Sequence, residues 1–226
     1  MPTLLALDAS TEACSCAVLL DGVVHERFQL VPRQHTQLLL PMIHELMREL
    51  DLGFADLDAV AFGKGPGSFT GLRIAAGVTQ GIAFAAELPV IPVSTLAALA
   101  VEAAGDNEDA LVFSCLDARI DEIYWGWYQV QRGTAILVGE EQLCRPELVA
   151  AALPLAASHV LAAGNGLAYR NRLPANLVST FATSEPDRLP RSGHIARIAA
   201  QLWLQGATIT PDAVNPVYLR DKVTQG

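Results

Sequence analysis

The chain has 226 residues, of which 51% are hydrophobic and 17% are charged, and its formal net charge is −9. This length allows one large or two small domains, each with a packed core. Proteins that hold nucleic acid usually carry a basic surface, so the acidic balance argues against direct binding of RNA or DNA. No apolar run reaches the length of a transmembrane helix, and no signal peptide is recognisable at the N-terminus. We therefore expect a cytoplasmic protein without a membrane segment.

The first half of the sequence has an order of strands and helices that is typical of an α/β domain. Apolar runs predict strands at residues 3–7, 14–20, 23–30, 57–62 and 90–93. Helical periodicity predicts helices over residues 34–50 and 70–87 and from residue 95 to about 104. Asp21 and Gly22 form a typical two-residue hairpin turn between the second and third strands.

The second half repeats this order after a polar interruption at residues 105–109, which we interpret as a domain linker. Strands are predicted at residues 110–116, 122–131, 134–139 and 158–162, and helices at 145–153, 167–173 and 192–205. The repetition predicts two similar α/β domains, residues 1–104 and 110–226, each with an antiparallel meander followed by parallel strands. The last helix and the tail can pack back on the first domain.

A glycine-rich loop, GKGPGSFTGLR at residues 63–73, joins a predicted strand to a predicted helix. Its glycines permit positive φ and close approach of another group, next to the free N–H groups of a helix N-terminus. The loop fits a phosphate cradle, a packing device for a partner, or an ordinary tight turn, and the sequence leaves these three open. It is not a Walker loop, and its glycine spacing departs from the dinucleotide fingerprint by one position, at Gly71.

The duplicated order, with Asp8 and Asp117 each in the first turn of a half, resembles the superfamily of actin, sugar kinases and Hsp70. This is the ASKHA fold of two ribonuclease H-like domains, in which hairpin turns and a glycine turn surround a nucleotide. Several motifs are similar to those of the bacterial TsaB (YeaZ) family. They are LALDAST at 5–11, RQHTQLLLP at 33–41, GPGSFTGLR at 65–73, DAR at 117–119, EIYW at 122–125 and PVYLR at 216–220.

The resemblance implies a role in tRNA modification. TsaB proteins are the non-catalytic partners of TsaD, which transfers a threonylcarbamoyl group to adenosine 37 of tRNAs that read ANN codons. A small ATPase, TsaE, completes the assembly. The family therefore implies a heterodimer with TsaD, a homodimer when the chain is alone, and contact with tRNA only through the complex. It also implies no catalytic residue and no metal here, since the metal-binding histidines of TsaD-type proteins align with Thr95 and Leu99.

The candidate residues of a nucleotide site form a degenerate set. Residues 9–11 replace the glycine that lets phosphate approach the first turn, and residues 164–166 lack the longer glycine run of an adenosine site. We expect no cofactor in the isolated chain and keep ATP or ADP as candidate ligands at a partner interface. An ATP-dependent small-molecule kinase is an alternative, and a peptidase is a minor one, because no serine lies in a G-x-S-x-G motif. The candidate set is Asp8, Ser10, Thr11, Gly65, Gly67, Asp117, Gly164 and Gly166.

Two helices carry the predicted partner surface. On the helix 70–87, small residues recur every four positions, and such a groove lets a partner helix approach or packs against the protein's own sheet. The apolar stripe of the helix 34–50 is wider than one sheet contact needs. The predicted partner-binding residues are His35, Leu38, Leu39, Met42, Ile43, Leu46, Arg73, Gly77 and Gly81.

Overall fold

The computed structural model describes residues 1–105, 109–152 and 159–220. The chain divides into two compact units. Unit 1 contains Met1–Ala98 and Pro190–Val217, and unit 2 contains Leu99–Leu189 and the residues from Tyr218 on. No helix within the described ranges has both the length and the apolar character needed to cross a membrane.

The sheet of unit 1 has five strands in the order β3-β2-β1-β4-β5. Strands β1 (Leu4–Asp8), β2 (Ala13–Leu20) and β3 (Val23–Leu30) form an antiparallel meander. Strands β4 (Ala59–Gly65) and β5 (Val90–Ser94) continue the sheet in parallel with β1. Asp21 and Gly22 both have positive φ, as a type I′ turn requires.

Helices cover both faces of this sheet, which explains why β1, β2, β4 and β5 are mostly apolar, whereas the edge strand β3 carries polar residues and none of its residues is buried. Helices α1 (His35–Glu49) and α2 (Phe69–Ala85) share one core cluster with side chains of alternate strand positions, among them Cys14 and Cys16. Helix α3 (Thr95–Ala104) follows β5 directly, and Ser94 Oγ accepts the N–H groups of Leu96 and Ala97 at its start.

The sheet of unit 2 has the strand order β10-β9-β6-β7-β8. When this order is taken from β8 to β10, each strand corresponds to one strand of the unit 1 order β3-β2-β1-β4-β5. Strands β6 (Asp109–Arg119), β7 (Glu122–Gln131) and β8 (Thr134–Cys144) form the meander, and β9 (Val160–Ala163) and β10 (Thr183–Glu185) are parallel to β6. The predicted pair of similar actin-like α/β domains is confirmed. Helix α4 (Ala175–Val178) and two 3-10 turns, Pro146–Leu148 and Asn165–Arg172, complete the unit.

Two predicted elements of unit 2 are wrong. The helix at 145–153 is only the 3-10 turn Pro146–Leu148, because Val149 has an extended backbone and is buried in the core of the unit; residue 153 lies outside the described ranges. The segment 167–173 belongs to the 3-10 turn Asn165–Arg172 and not to an α-helix. Strand β10 was not predicted, because its three residues are all polar and show no alternation of apolar and polar positions.

The division into units differs from the predicted domains 1–104 and 110–226, since it falls at Ala98 and Leu99, within α3. Helix α5 (Ser192–Leu204) belongs to unit 1, where it packs on β1 and β2. The Ser192 N–H donates to Ser15 Oγ at 3.1 Å, and the Gly193 N–H donates to Glu26 Oε1 at 2.8 Å. Strand side chains therefore satisfy the N–H groups at the start of α5. Of the predicted linker, residues 106–108 lie outside the described ranges.

Candidate functional site

The glycine-rich loop between β4 and α2 packs directly against the turn that follows β1. The Ser68 N–H donates to the Ser10 carbonyl oxygen at 2.7 Å. A Cβ atom added to Gly67 would lie 2.5 Å from the same oxygen, and one added to Gly71 would lie 1.8 Å from the Ala9 oxygen. The glycines are needed because the protein's own backbone lies where side chains would otherwise be.

The chain's tail covers a second side of this loop. The Val217 N–H donates to the Lys64 carbonyl oxygen at 2.7 Å, and a Cβ on Gly65 would lie 2.7 Å from the Val217 oxygen. Gly65 also has a φ of +114°, a conformation that other residues rarely adopt. Of the three interpretations of the loop, the structure supports close packing of the protein's own segments around Gly65 and Gly67.

Asp8, at the end of β1, is fully buried. Its Oδ2 accepts the Ser10 Oγ–H at 2.9 Å and the Ser10 N–H at 3.2 Å, while Oδ1 has no hydrogen-bond partner among the described residues. Burial raises the pKa of Asp8 to about 7, and the hydrogen bonds from Ser10 oppose that rise. The carboxylate of a kinase must be ionised and accessible to metal or substrate, so Asp8 does not fit the kinase alternative. Thr11, also in this turn, accepts the Ala13 N–H with Oγ1 at 3.2 Å.

The raised pKa of Asp8 makes the stability of the chain depend on pH. The folded protein keeps the proton up to about pH 7, whereas the ordinary value of 3.8 applies in the unfolded chain. We therefore expect the free energy of unfolding to decrease as pH rises from about 4 to 7, by at most about 4 kcal/mol from this group. Asp8→Asn should remove that decrease. Urea unfolding of both proteins at pH 5 and pH 8 measures the difference; equal pH dependence would contradict the prediction.

The matching turn of unit 2 is filled in the same way. Gly164 has a φ of +105°, and a Cβ there would lie 2.0 Å from the Cys115 oxygen; one on Gly166 would lie 2.9 Å from the Cys115 carbonyl carbon. Asp117 accepts the Arg119 N–H at 2.8 Å and pairs with its guanidinium at 3.2 Å. This is a local Asx turn. The predicted nucleotide residues make these contacts within their own unit: Asp8, Ser10, Thr11, Gly65 and Gly67 in unit 1, and Asp117, Gly164 and Gly166 in unit 2.

Thr95 and Leu99, the positions that the resemblance matched to a metal-binding histidine pair, have structural roles. The Thr95 hydroxyl donates to the Pro66 carbonyl oxygen, and Leu99 is fully buried. Within the described ranges, no group of three or more histidine, cysteine, aspartate or glutamate side chains is placed to hold a metal ion.

Helix α1 does not provide the predicted partner surface. His35, Leu39, Met42, Ile43 and Leu46 are all buried in this chain. The stripe is wide because α1 contacts both the sheet and α2, and side chains of both elements belong to its core cluster. The His35 ring contributes a hydrogen bond from Nε2 to the Ala13 oxygen at 3.1 Å, and Leu38 is partly buried against the cluster. The prediction is therefore corrected for the five buried residues, which stabilise unit 1, and it stays a prediction for Leu38.

Helix α2 does present an open face. Arg73, Gly77 and Gly81 are exposed, and a Cβ added to either glycine would meet no described atom within 4 Å beyond its chain neighbours and the nearby backbone of its own helix. The helix packs on the sheet with its other side, through residues such as Leu72 and Ala75. Of the two interpretations of the small-residue groove, packing on the protein's own sheet is thus excluded.

Two exposed aromatic side chains flank this face and were not predicted. Phe69 is 53% exposed and Phe84 is 76% exposed, and the Arg73 guanidinium carbon lies 3.7 Å from the centre of the Phe69 ring. An aromatic residue on a helix indicates a contact surface only when it is known which side of the helix faces solvent. We name the surface formed by Phe69, Arg73, Gly77, Gly81 and Phe84 the α2 face.

Comparisons with known proteins identify the family. The family model described as "TsaD: tRNA N6-adenosine threonylcarbamoyltransferase" matches residues 21–210. The "tRNA threonylcarbamoyladenosine biosynthesis protein TsaB" of Escherichia coli (strain K12) is 38% identical, over 97% of this chain and 95% of that protein. The protein of the same name from Haemophilus influenzae is 40% identical, over 98% and 95%. The chain belongs to the TsaB family.

A solved structure agrees with this membership. "YeaZ from Pseudomonas aeruginosa" is 42% identical and superimposes with a TM-score of 0.90, covering 97% of this chain and 100% of that one. The resemblance to the TsaB (YeaZ) family that the sequence motifs indicated is therefore confirmed. The family model of the transferase matches most of the sequence of this TsaB-family chain.

Proposed function

We propose that this chain is the non-catalytic scaffold subunit of the assembly that makes N6-threonylcarbamoyladenosine at position 37 of tRNAs reading ANN codons. In that role it binds and supports the catalytic subunit TsaD, and TsaE joins the complete assembly. The observation that carries the proposal is the 38–40% identity, over nearly the whole chain, to proteins named for this biosynthesis.

The local chemistry supports a role without catalysis. Asp8 is buried and its pKa is raised, and at the glycine turns of both units backbone atoms occupy the places that side chains would take. Nothing favours phosphoryl transfer or peptide hydrolysis over the scaffold role. ATP or ADP is accordingly proposed only at a surface shared with a partner, and the net charge of −9 supports contact with tRNA only through the complex.

The α2 face is the proposed contact with TsaD, and with a second copy of this chain when TsaD is absent. Exposed glycines let a partner helix approach closely, and the flanking Phe69 and Phe84 add apolar surface that gains from burial. The contact lies on unit 1 and needs no rearrangement of its core, because α2 packs on the sheet with the opposite side. We propose that this assembly works in the cytoplasm.

Omission experiments test the proposed function. Purified chain, TsaD and TsaE are combined with tRNA and the threonylcarbamoyl donor, and the modified nucleoside is measured with each protein left out in turn. Modification is expected only when this chain is present with TsaD. Full modification without the chain, or phosphoryl transfer by the chain alone, would overturn the scaffold role.

Gly81→Leu should abolish association with TsaD and leave the chain folded. The new side chain points into open space, so it does not disturb the core, but it prevents a partner helix from approaching α2. Size-exclusion chromatography with TsaD measures association, and circular dichroism melting measures folding. Arg197→Leu, an exposed position on α5, is the matched control and should still co-elute. Co-elution of Gly81→Leu with TsaD would rule out the α2 face as the contact.

A further inference from the structure

Strand β8 is the outermost strand of the unit 2 sheet, and it has a strand neighbour on one side only, β7. Among the described residues, no strand pairs with its other side. Its first part, residues 134–138, keeps a regular register with β7, and the register shifts after Val138. The outward N–H and C=O groups of an edge strand are a template on which a further strand can pair. We name residues 134–138 the β8 edge.

The centre of the β8 edge is apolar on both faces of the sheet. Ile136 is 55% exposed on one face, and Leu137 is 41% exposed on the other, the face that it shares with Ala135. Edge strands usually avoid pairing with another chain by carrying charged side chains at their centre. The β8 edge has none there, and its two large aliphatic side chains would gain from burial.

The edge strand β3 of unit 1 shows the protection that β8 lacks. Glu26 and Arg27 lie at the centre of β3, and they already pair with Arg191 and Glu49. When two identical strands pair antiparallel about a two-fold axis, the central residue lies opposite its own copy. In β3 this would place two carboxylates or two guanidinium groups opposite each other, which is unfavourable. Of these two edges, only β8 suits pairing with a second copy.

The charges on either side of the β8 edge are complementary to those of a second copy. Arg132 lies four residues before Ile136, Glu140 lies four residues after it, and both are exposed. If Ile136 lies opposite its own copy in an antiparallel pair, Arg132 of each chain is at the same end as Glu140 of the other. Glu141, a further carboxylate at that end, accepts a hydrogen bond from the Tyr128 hydroxyl of β7. Two ion pairs between the chains therefore flank the apolar centre.

We propose that two copies of this chain associate by antiparallel pairing of one β8 edge with the other. Ile136 meets its own copy on one face of the joined sheet, and Leu137 meets Ala135 of the second copy on the other face. The contact uses no residue of the α2 face, so it goes beyond the proposed function and does not depend on it. A pair of short strands buries less than the about 800 Å² per partner of a standard interface, so the association is weak and reversible.

Sedimentation equilibrium of the Gly81→Leu chain tests the pairing, because this background removes association through the α2 face. We expect a monomer–dimer equilibrium with a Kd of about 10–500 µM. Adding Ile136→Lys should weaken it about tenfold or more, since two ammonium groups then meet at the two-fold axis. Val23→Lys, at a 56% exposed position of β3, is the matched control and should leave the Kd unchanged. A parent chain that is monomeric at about 1 mM, or Ile136→Lys that dimerises equally well, would overturn the proposal.

Charge reversal in the same background tests the antiparallel arrangement. Arg132→Glu and Glu140→Arg each place like charges at both ends of the paired edges, so each should weaken dimerisation about tenfold. An equimolar mixture of the two variants brings opposite charges together again at both ends, and it should dimerise as tightly as the parent chain. A mixture that associates no more tightly than either variant alone would show that Arg132 and Glu140 do not meet, and the proposed pairing would be wrong.

Discussion

Leu39→Glu is expected to prevent the isolated chain from folding. Leu39 lies in the middle of α1 with none of its surface exposed, inside the core cluster shared by the sheet, α1 and α2. Truncation of such a leucine to alanine alone typically costs about 2–5 kcal/mol, and an unpaired carboxylate buried there costs more. The whole free energy of unfolding of a domain is commonly about 5–15 kcal/mol. Circular dichroism and urea unfolding of the purified variant would measure the loss.

Leu40→Glu is the control for this experiment. Leu40 is the next residue on the same helix but is 42% exposed, so a carboxylate there stays hydrated. We expect a change in the free energy of unfolding within about 0.5 kcal/mol, as for most surface substitutions. The opposite pattern, a folded Leu39→Glu that fails to bind TsaD, would restore α1 as the partner surface.

The apolar stripe of α1 shows what sequence periodicity can establish. Periodicity correctly predicted the helix and the residues that share its face. It did not show what that face meets, and the width of the stripe was attributed to a second protein. The structure accounts for the width by contacts with two elements of the same unit, the sheet and α2. A wide stripe is therefore evidence for several neighbours, inside or outside the chain.

The small-residue groove of α2 shows the same limit of sequence periodicity, here for a face that turns out to be exposed. The spacing of Arg73, Gly77 and Gly81 gave the common face but could not decide between the sheet and solvent. That decision depends on the opposite side of the helix, where Leu72 and Ala75 pack on the sheet, and the structure supplies it. The exposed Phe69 and Phe84 can be assigned to a contact surface only once it is known which side of α2 packs on the sheet.

The topology of both sheets could be predicted from the sequence more accurately than the residues at which their strands and helices end. Alternating strands, turn residues and helix periods gave the repeated meander and the parallel strands that follow it. The sequence analysis allowed the last helix to pack back on the first domain, but it could not specify the contacts that place α5 in unit 1, because these join residues far apart in the chain, such as Ser15 and Ser192. No local pattern near residue 192 specifies the strand on which the helix packs.

The glycine-rich loop shows that glycine spacing predicts close approach but does not identify the group that approaches. Its residue types indicated close approach of another group, and close approach is what the structure shows. The approaching group is the turn at Ala9 and Ser10, which is distant in sequence, so spacing alone could not distinguish it from a phosphate. Gly71 makes this interpretation testable, since it lies in the first turn of α2 and faces the same turn after β1.

Gly71→Ala is expected to disrupt unit 1 severely. Alanine is normally the better helix former, so without its neighbour the substitution would stabilise α2. The added Cβ, however, would lie 1.8 Å from the Ala9 carbonyl oxygen and 2.9 Å from its carbon, and these are backbone atoms that cannot rotate away. Either α2 or the turn after β1 must move, which costs more than the roughly 1–3 kcal/mol of ordinary overpacking. Thermal melting should show a large decrease or no folded protein.

Gly77→Ala is the matched control, because it makes the same chemical change six positions later on the same helix. A Cβ there would meet no described atom within 4 Å, so only helix propensity acts. We expect the free energy of unfolding to increase by about 0.5–1 kcal/mol. The opposite signs of the two glycine substitutions separate backbone contact at the loop from helix propensity. If Gly71→Ala melts at or above the wild-type temperature, the turn after β1 does not fill the loop, and a phosphate cradle at Gly65 and Gly67 has to be considered again.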